Sequence, residues 1–359
     1  MSNETRIPSL DGCRAIAILL VVYSHVESAR NAWSARAFDW GTLGVFVFFV
    51  ISGFIITTLL QREREKHQSV SLRQFYIRRC FKIHPPLTLF LAAMAVLSSL
   101  GLSDASGRSI LFSFTFLRNY LPGPSRVLHH LWSLSVEEQF YLIWPFLFVT
   151  MSRRAVCRLL MVVVLVVPFI RLFTVLRMGT SFTVGLSWAG WHTQQLADGL
   201  AWGCLLAIRR DDLRSTRFYR WLSTSYAALL LPVIVALASY TYPPIVFESL
   251  GKTLIFACTA LCIDLTILRS ESVVGRFLNW TPFAGIGKIS YSLYLWQQLF
   301  FFARSDHPYQ WFPVGLVFLL PCALFSYLVV EQPAVRIGRR LASRGRNPLP
   351  AIAAAATEP

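Results

Sequence analysis

Several residues in this 359-residue sequence have types and spacings suited to chemistry. His25 follows Arg14 by eleven residues. At about 1.5 Å and 100° per helical residue, its imidazole lies ~16 Å beyond the guanidinium and within ~20° of the same face. An imidazole is the side chain best matched to proton abstraction near neutral pH. Glu137 and Glu138 open another apolar stretch in Trp132-Ser133-Leu134-Ser135-Val136-Glu137-Glu138-Gln139-Phe140-Tyr141. A capping box accounts for one carboxylate there, but not for two beside Gln139 and Tyr141. In the run Gly287 to Gln298, Tyr291, Tyr294 and Gln298 share one helical face, with Gln297 beside it and Ser292 nearby. Asp198 follows His192 by about a turn and a half. Finally, Asp11, Arg14, Arg78, Arg79, Lys82 and Glu331 stand at the ends of apolar stretches. Ion pairing among themselves is one use for them; a basic mouth that grips a phosphorylated ligand, such as a nucleotide-bearing thioester, is another.

The elements that carry these groups follow from composition. Residues of the AVILMFWYC set make up 55% of the chain, charged residues 14%, and the mean hydropathy is +0.53. A soluble domain is closer to a quarter charged, so these figures exclude a soluble globule, a disordered chain, a collagen and a disulfide scaffold. A bilayer crossing needs about 20 apolar residues. That window gives ten candidate helices: 14–30, 41–61, 85–102, 132–151, 157–176, 191–208, 221–240, 249–268, 286–304 and 311–331. The fold class is therefore an all-α, polytopic membrane helix bundle of about ten crossings. Its first helix reads as an uncleaved anchor, because Asp11, Arg14, His25 and Glu27 interrupt a signal-peptide pattern and no A-x-A site follows. In such a bundle an ionisable side chain is costly unless it is paired or faces a cavity, which makes each group above a functional candidate.

The net charge is +16. With the N-terminus in the cytoplasm, 25 of the 34 Lys and Arg fall in cytoplasmic segments and 9 on the other side. This asymmetry puts both termini in the cytoplasm. The charges are dispersed over six short segments rather than one stripe, which excludes nucleic acid and suits anionic membrane lipids. The seven cysteines are scattered without zinc spacing, and no metal site is expected. Residues 103–131 form the longest loop, on the outer side, and 110–117 is too short to span. The membrane domain is expected over 1–342 and a disordered cytoplasmic tail over 343–359. No soluble catalytic domain is expected at either end.

The stretches Ser9-Leu10-Asp11-Gly12-Cys13-Arg14 through His25, Gly44-Val45 through Phe54, Trp132 to Tyr141, Gly287 to Trp296, and Ser326-Tyr327 through Glu331-Gln332-Pro333 resemble the acyltransferase 3 family. The resemblance runs from about residue 7 to 338. It implies a multi-pass protein of the inner (plasma) membrane that moves an acyl group, usually acetyl, from acyl-CoA to a hydroxyl. Family acceptors include surface polysaccharides, lipopolysaccharide, peptidoglycan, nodulation factors and macrolides, and the partners expected here are acyl-CoA and a carbohydrate or lipid-linked glycan. By position, the resemblance implies that Arg14 and His25 belong to the reaction centre or donor path, that Glu137 is the acidic residue of W-S-L-S-x-E, and that Arg79 and Lys82 sit on an R-x-x-R motif thought to engage CoA phosphates. Three positions depart from the pattern. Lys82 replaces the second arginine, losing its bidentate fork; Phe46 replaces an Asp; and Gln297 stands where many members have His.

Acyl transfer from a thioester to an alcohol needs a base, donors for the oxyanion, and exclusion of water. His25 is expected as base, oriented by Glu137, with Gln297, Tyr291 or Ser292 as donors. Arg14, Arg78, Arg79 and Lys82 would grip CoA, while Asp11, Glu138, Asp198 and Glu331 support the site. A serine or cysteine acyl intermediate stays open, with Ser133, Ser135 and Ser290 available. The competing readings are a transporter whose polar groups form a permeation path, acylation of a small molecule such as a macrolide, and a non-enzymatic scaffold.

Overall fold

The computed structural model describes residues 7–30, 39–121, 125–178, 188–241, 244–301 and 312–344. Every regular element among the described residues is helical. They are α1 (Leu10–Arg30), α2 (Trp40–His67), α3 (Leu72–Ser99), α4 (Gly107–Phe114), α5 (Leu131–Thr150), α6 (Arg153–Met178), α7 (Thr193–Ser215) and α8 (Arg217–Leu222). After these come α9 (Leu231–Thr241), α10 (Lys252–Leu268), α11 (Val273–Asn279), α12 (Thr281–Lys288), α13 (Ser290–Phe300), α14 (Val314–Phe325) and α15 (Gln332–Arg344). A π turn at Phe247–Gly251 leads into α10, and another at Ser326–Glu331 joins α14 to α15.

The protein is a multi-pass membrane protein, and its burial pattern shows why. On α6, Phe169 and Leu176 are 69% and 67% exposed, while Arg171 on the same helix is 0% exposed. Apolar side chains form the periphery and charge lies within, which is stable only where the surroundings are hydrocarbon. Among the described residues, five helical segments are long and apolar enough to cross a bilayer: Trp40–His67, Leu72–Ser99, Arg153–Met178, Phe247–Leu268 and Val314–Ser343. The other five expected windows also hold helices, but these are shorter, more polar, kinked at Arg209 or broken at Ile289.

Close crossings of small residues set the core. A Cβ on Gly53 of α2 would lie 2.1 Å from the Leu200 carbonyl oxygen of α7, and one on Gly203 of α7 would lie 2.1 Å from that of Val50. The two backbones touch, as small residues allow in lipid. At the α2 start, Asp39 accepts from the Gly41 and Thr42 amides (2.9 and 3.2 Å) and from the Ser24 hydroxyl of α1 (2.9 Å), capping one helix while tying it to another.

Several boundaries differ from those read in the sequence. Residues 62–67 extend α2, and α3 begins at Leu72 rather than near 85. Ser71 caps α3 through the Gln74 amide (3.4 Å), and Pro85 and Pro86 lie within the helix. Arg78, Arg79 and Lys82 are therefore helical residues, not loop residues. The described residues of 103–131, which are 103–121 and 125–131, also hold more structure than a long loop. Ser106 caps α4, Asp104 accepts from the Arg126 and Val127 amides (2.7 and 3.2 Å), and the buried Arg118 donates to the Ser125 carbonyl (2.7 Å). This scaffold holds His129 and His130 at the entry to α5. α15 continues through Arg344, and the remainder of the expected tail lies outside the described residues.

Candidate active site

A cavity of about 110 Å³ lies within the bundle between α1, α2, α3, α5 and α13. Its charged lining is Arg14 from α1, Arg79 and Lys82 from α3, and Glu137 from α5. Hydroxyls come from Ser52 on α2, Ser133 and Tyr141 on α5, and Ser290, Tyr291 and Tyr294 on α13. Ile51, Ile55, Ile56, Val45, Phe48, Ile83 and Leu134 close the remaining walls.

Helical spacing builds a clamp in one wall. Tyr141 stands one turn beyond Glu137, so its hydroxyl reaches back to donate to Glu137 Oε2 at 2.9 Å. The Tyr141 ring lies 3.5 Å beneath the Arg79 guanidinium, whose Nη2 and Nε donate to Glu138 Oε1 at 3.0 and 3.3 Å. Ser52 faces Glu137 and Tyr141 from α2. Arg79 is thereby engaged by Glu138 and the ring, and Glu137 presents its carboxylate to the cavity. Arg14 and Lys82 differ from Arg79. Among the described residues neither is held in an ion pair, and Glu331 and Glu137 act on Lys82 only at longer range. Two cations thus stand open to one end of the cavity. Glu331 is fixed behind them by the Ser292 hydroxyl at 3.0 Å.

A second group of polar residues lies toward the other end. His25, half-buried on α1, is within electrostatic reach of Asp39 and of the imidazoles of His129 and His130. His130 precedes Glu137 by seven residues, which places Glu137 ~10 Å farther along α5. Tyr294 stands between the two groups. It lines the cavity, shares a 2.6 Å hydrogen bond with Ser133, donates to the His130 carbonyl at 2.5 Å, and packs edge-on against the His130 ring.

The structure therefore brings Arg14, Arg79, Lys82, Glu137 and Tyr291 together around one cavity, and does not place Glu137 against His25. Glu138 is behind Arg79. Arg78 pairs instead with Glu63 (3.0 Å) on the outside of α3, and Asp11 and Gln297 do not line the cavity. Asp198 serves a separate place: both its oxygens accept from Arg171 (3.0 and 2.7 Å), and Thr253 also bonds to Asp198 at 2.5 Å. Of the expected donors, Tyr291 donates to the Ile83 carbonyl (2.9 Å) and Ser292 to Glu331, whereas Ser290 has no partner. Sequence reasoning did not assign Ser52, Tyr141, Tyr294 or His130. The i,i+4 spacing of Glu137 and Tyr141 was a usable signal. His130 had none, since its neighbours come from α3 and α13.

A family model described as an acyltransferase domain (Acyl_transf_3) matches residues 7–331. The chain belongs to the acyltransferase 3 family. Peptidoglycan O-acetyltransferase OatA of Listeria monocytogenes is 30% identical over 321 residues, covering 81% of this chain and 48% of that protein. YrhL of Bacillus subtilis is 28% identical over 375 residues, covering 94% of this chain and 56% of YrhL. O-acetyltransferase OatA of Staphylococcus aureus is 26% identical over 368 residues, covering 94% of the chain and 58% of that protein. The chain thus spans about half the length of these acyltransferase 3 relatives. No solved structure matches it.

Proposed function

We propose that this chain is a membrane-embedded O-acyltransferase that moves an acyl group, acetyl in the first instance, from a thioester donor to a glycan hydroxyl. The observation that carries the reading is the pair of unpaired cations, Arg14 and Lys82, at one end of a cavity whose wall presents the Glu137 carboxylate. Acyl-CoA suits that end, because its phosphates match Arg14 and Lys82. The end bearing Arg14 is assigned to the cytoplasm by the basic-residue count, and the end bearing His25 faces outward. The protein names of its relatives, peptidoglycan O-acetyltransferase among them, support a cell-wall glycan as acceptor.

In this reading His25 takes the acceptor proton. The hydroxyl O–H bond breaks as the oxygen forms a bond to the thioester carbonyl carbon. The C–S bond then breaks with its electron pair going to sulfur, and the proton passes from the imidazolium to the thiolate. Glu137 acts on the donor side, held by Tyr141 and Ser52, rather than orienting His25 directly.

The test uses purified full-length protein in lipid nanodiscs with radiolabelled acetyl-CoA and chitotriose as acceptor. Label should move to the saccharide, and both His25→Ala and Glu137→Ala should abolish the transfer while eluting and melting as folded protein. Full activity in either variant refutes its assigned role. Absence of transfer by the wild type with acetyl-CoA, together with transfer from another acetyl thioester, would replace the donor assignment alone.

A further inference from the structure

The hydrogen-bond inventory of the buried interior is uneven. Thirteen buried side-chain nitrogen and oxygen atoms among the described residues lack a partner, and seven of them belong to α13 or to His130 packed against it. They are both ring nitrogens of His130, both amide atoms of Gln297, Gln298 Oε1, Trp296 Nε1 and Ser290 Oγ. Gln297 is 0% exposed and His130 3%. The Leu295 backbone and the Gln298 side chain stand within reach of the His130 ring at the edge of hydrogen-bonding geometry, whereas neither amide atom of Gln297 has a partner. An unpaired buried polar atom costs about 1–3 kcal/mol, and a group of them in one place is where ordered water or a polar ligand is held.

Helical geometry connects this group to the cavity. Ser290, Tyr294 and Gln297 fall on one face of α13, at i, i+4 and i+7. Ser290 and Tyr294 line the cavity, so Gln297 continues the same stripe toward the end bearing His25. Tyr294, through its bonds to Ser133 and to the His130 carbonyl, is the partition. Aromatic rings stand about His130: Phe90 meets it edge-on at 5.9 Å and itself meets Trp296 at 5.4 Å, while the adjacent His129 ring meets Trp191 edge-on at 4.5 Å. Amide and imidazole groups with spare donors and acceptors, next to flat aromatic faces, match the alternating hydroxyl and C–H surfaces of a pyranose.

We propose that His130, Gln297 and Gln298 form the subsite that receives the hydroxyls of the sugar acceptor, on the far side of Tyr294 from the donor cavity. The proposal rests on the acyltransferase reading above and adds where its acceptor is held. The three side chains supply both donors and acceptors, so they orient one hydroxyl toward the partition while holding its neighbours. Their partners arrive with the saccharide.

Gln297→Leu is the decisive variant. Replacing an unpartnered buried amide by an apolar group of similar size should leave the melting temperature in nanodiscs equal or higher. The same variant should raise the KM for chitotriose about tenfold with the KM for acetyl-CoA within twofold. His130→Gln, which keeps hydrogen-bonding atoms, should retain more transfer than His130→Leu. A chitotriose KM within twofold of wild type in Gln297→Leu overturns the proposal, as does a melting temperature lowered by more than about 5 °C, which would mark the amide as a structural tie. Binding is read separately from catalysis. Chitotriose should raise the melting temperature of the wild type and not that of Gln297→Leu. If the wild type transfers no acetyl group, the enzymatic reading falls and this shift still decides the subsite; no shift in the wild type overturns it.

Discussion

Removing the Tyr141 hydroxyl isolates one link in the site. Tyr141 is 3% exposed, and its ring lies beneath Arg79 while its hydroxyl donates to Glu137 at 2.9 Å. Tyr141→Phe keeps the ring, and with it the cation–π contact and the Arg79–Glu138 pair. It deletes a single hydrogen bond to a carboxylate that retains Ser52 as a hydroxyl neighbour. Bonds to charged groups are worth about 1.5–3 kcal/mol, and at ~1.4 kcal/mol per tenfold this is a loss of roughly 10- to 150-fold in kcat/KM. The assay is acetyl transfer by purified protein, with thermal unfolding as the check on folding. If Tyr141 acts through Glu137, the loss should shrink to within about threefold when Tyr141→Phe is made in a Glu137→Gln background. A single variant within threefold of wild type, or full additivity in the double variant, refutes the link.

Other outcomes follow from the same geometry. Lys82→Ala should raise the KM for acetyl-CoA by roughly 10-fold or more with little change in kcat, because it removes a cavity-lining cation that no carboxylate among the described residues holds in a direct ion pair; steady-state kinetics reads this directly. Asp198→Asn should destabilise the protein by about 3–5 kcal/mol, since it strands the fully buried Arg171, whereas Arg171→Met with Asp198→Leu should recover most of the loss; thermal melts of the three variants decide it. Gly287→Ala places a Cβ 1.8 Å from the Asp11 carbonyl oxygen and should push α1 from α12, at a cost of about 1–3 kcal/mol. Since α1 carries Arg14, the donor KM should rise in the same variant, and an unchanged melt and KM would count against the packing argument.

Hydropathy and helical period made much of the architecture legible. Each of the ten windows holds a helix, five of them among the described residues long and apolar enough to cross a bilayer, and Arg14 and Glu137, both singled out by residue type, line the cavity. What period does not reveal is which helices are neighbours. Arg79 and Lys82 look like loop residues when a helix is begun at Pro85, because the sequence shows two prolines and a run of charge. The Ser71 cap and the contact with α5 carry the helix back through them. Gln297 is readable as an amide at an apolar depth, but its relation to His130 spans 167 positions of chain. Asp198 was legible as costly, while the arginine that answers it lay unremarked in an otherwise apolar window. His25 and Glu137 share a chemical logic that the sequence allows and the packing separates.

The Arg171–Asp198 bond has a consequence for biogenesis. An arginine at the centre of an inserted helix costs about 2.5–3.5 kcal/mol on the translocon scale, and Arg171, about a turn and a half from the middle of α6, carries a part of that cost. α6 precedes α7 in synthesis, so its guanidinium enters the bilayer before the carboxylate that will neutralise it has been made. The two segments are therefore expected to mature as one hairpin, and a ribosome-arrested chain ending before residue 198 should insert α6 less efficiently than one extending beyond it.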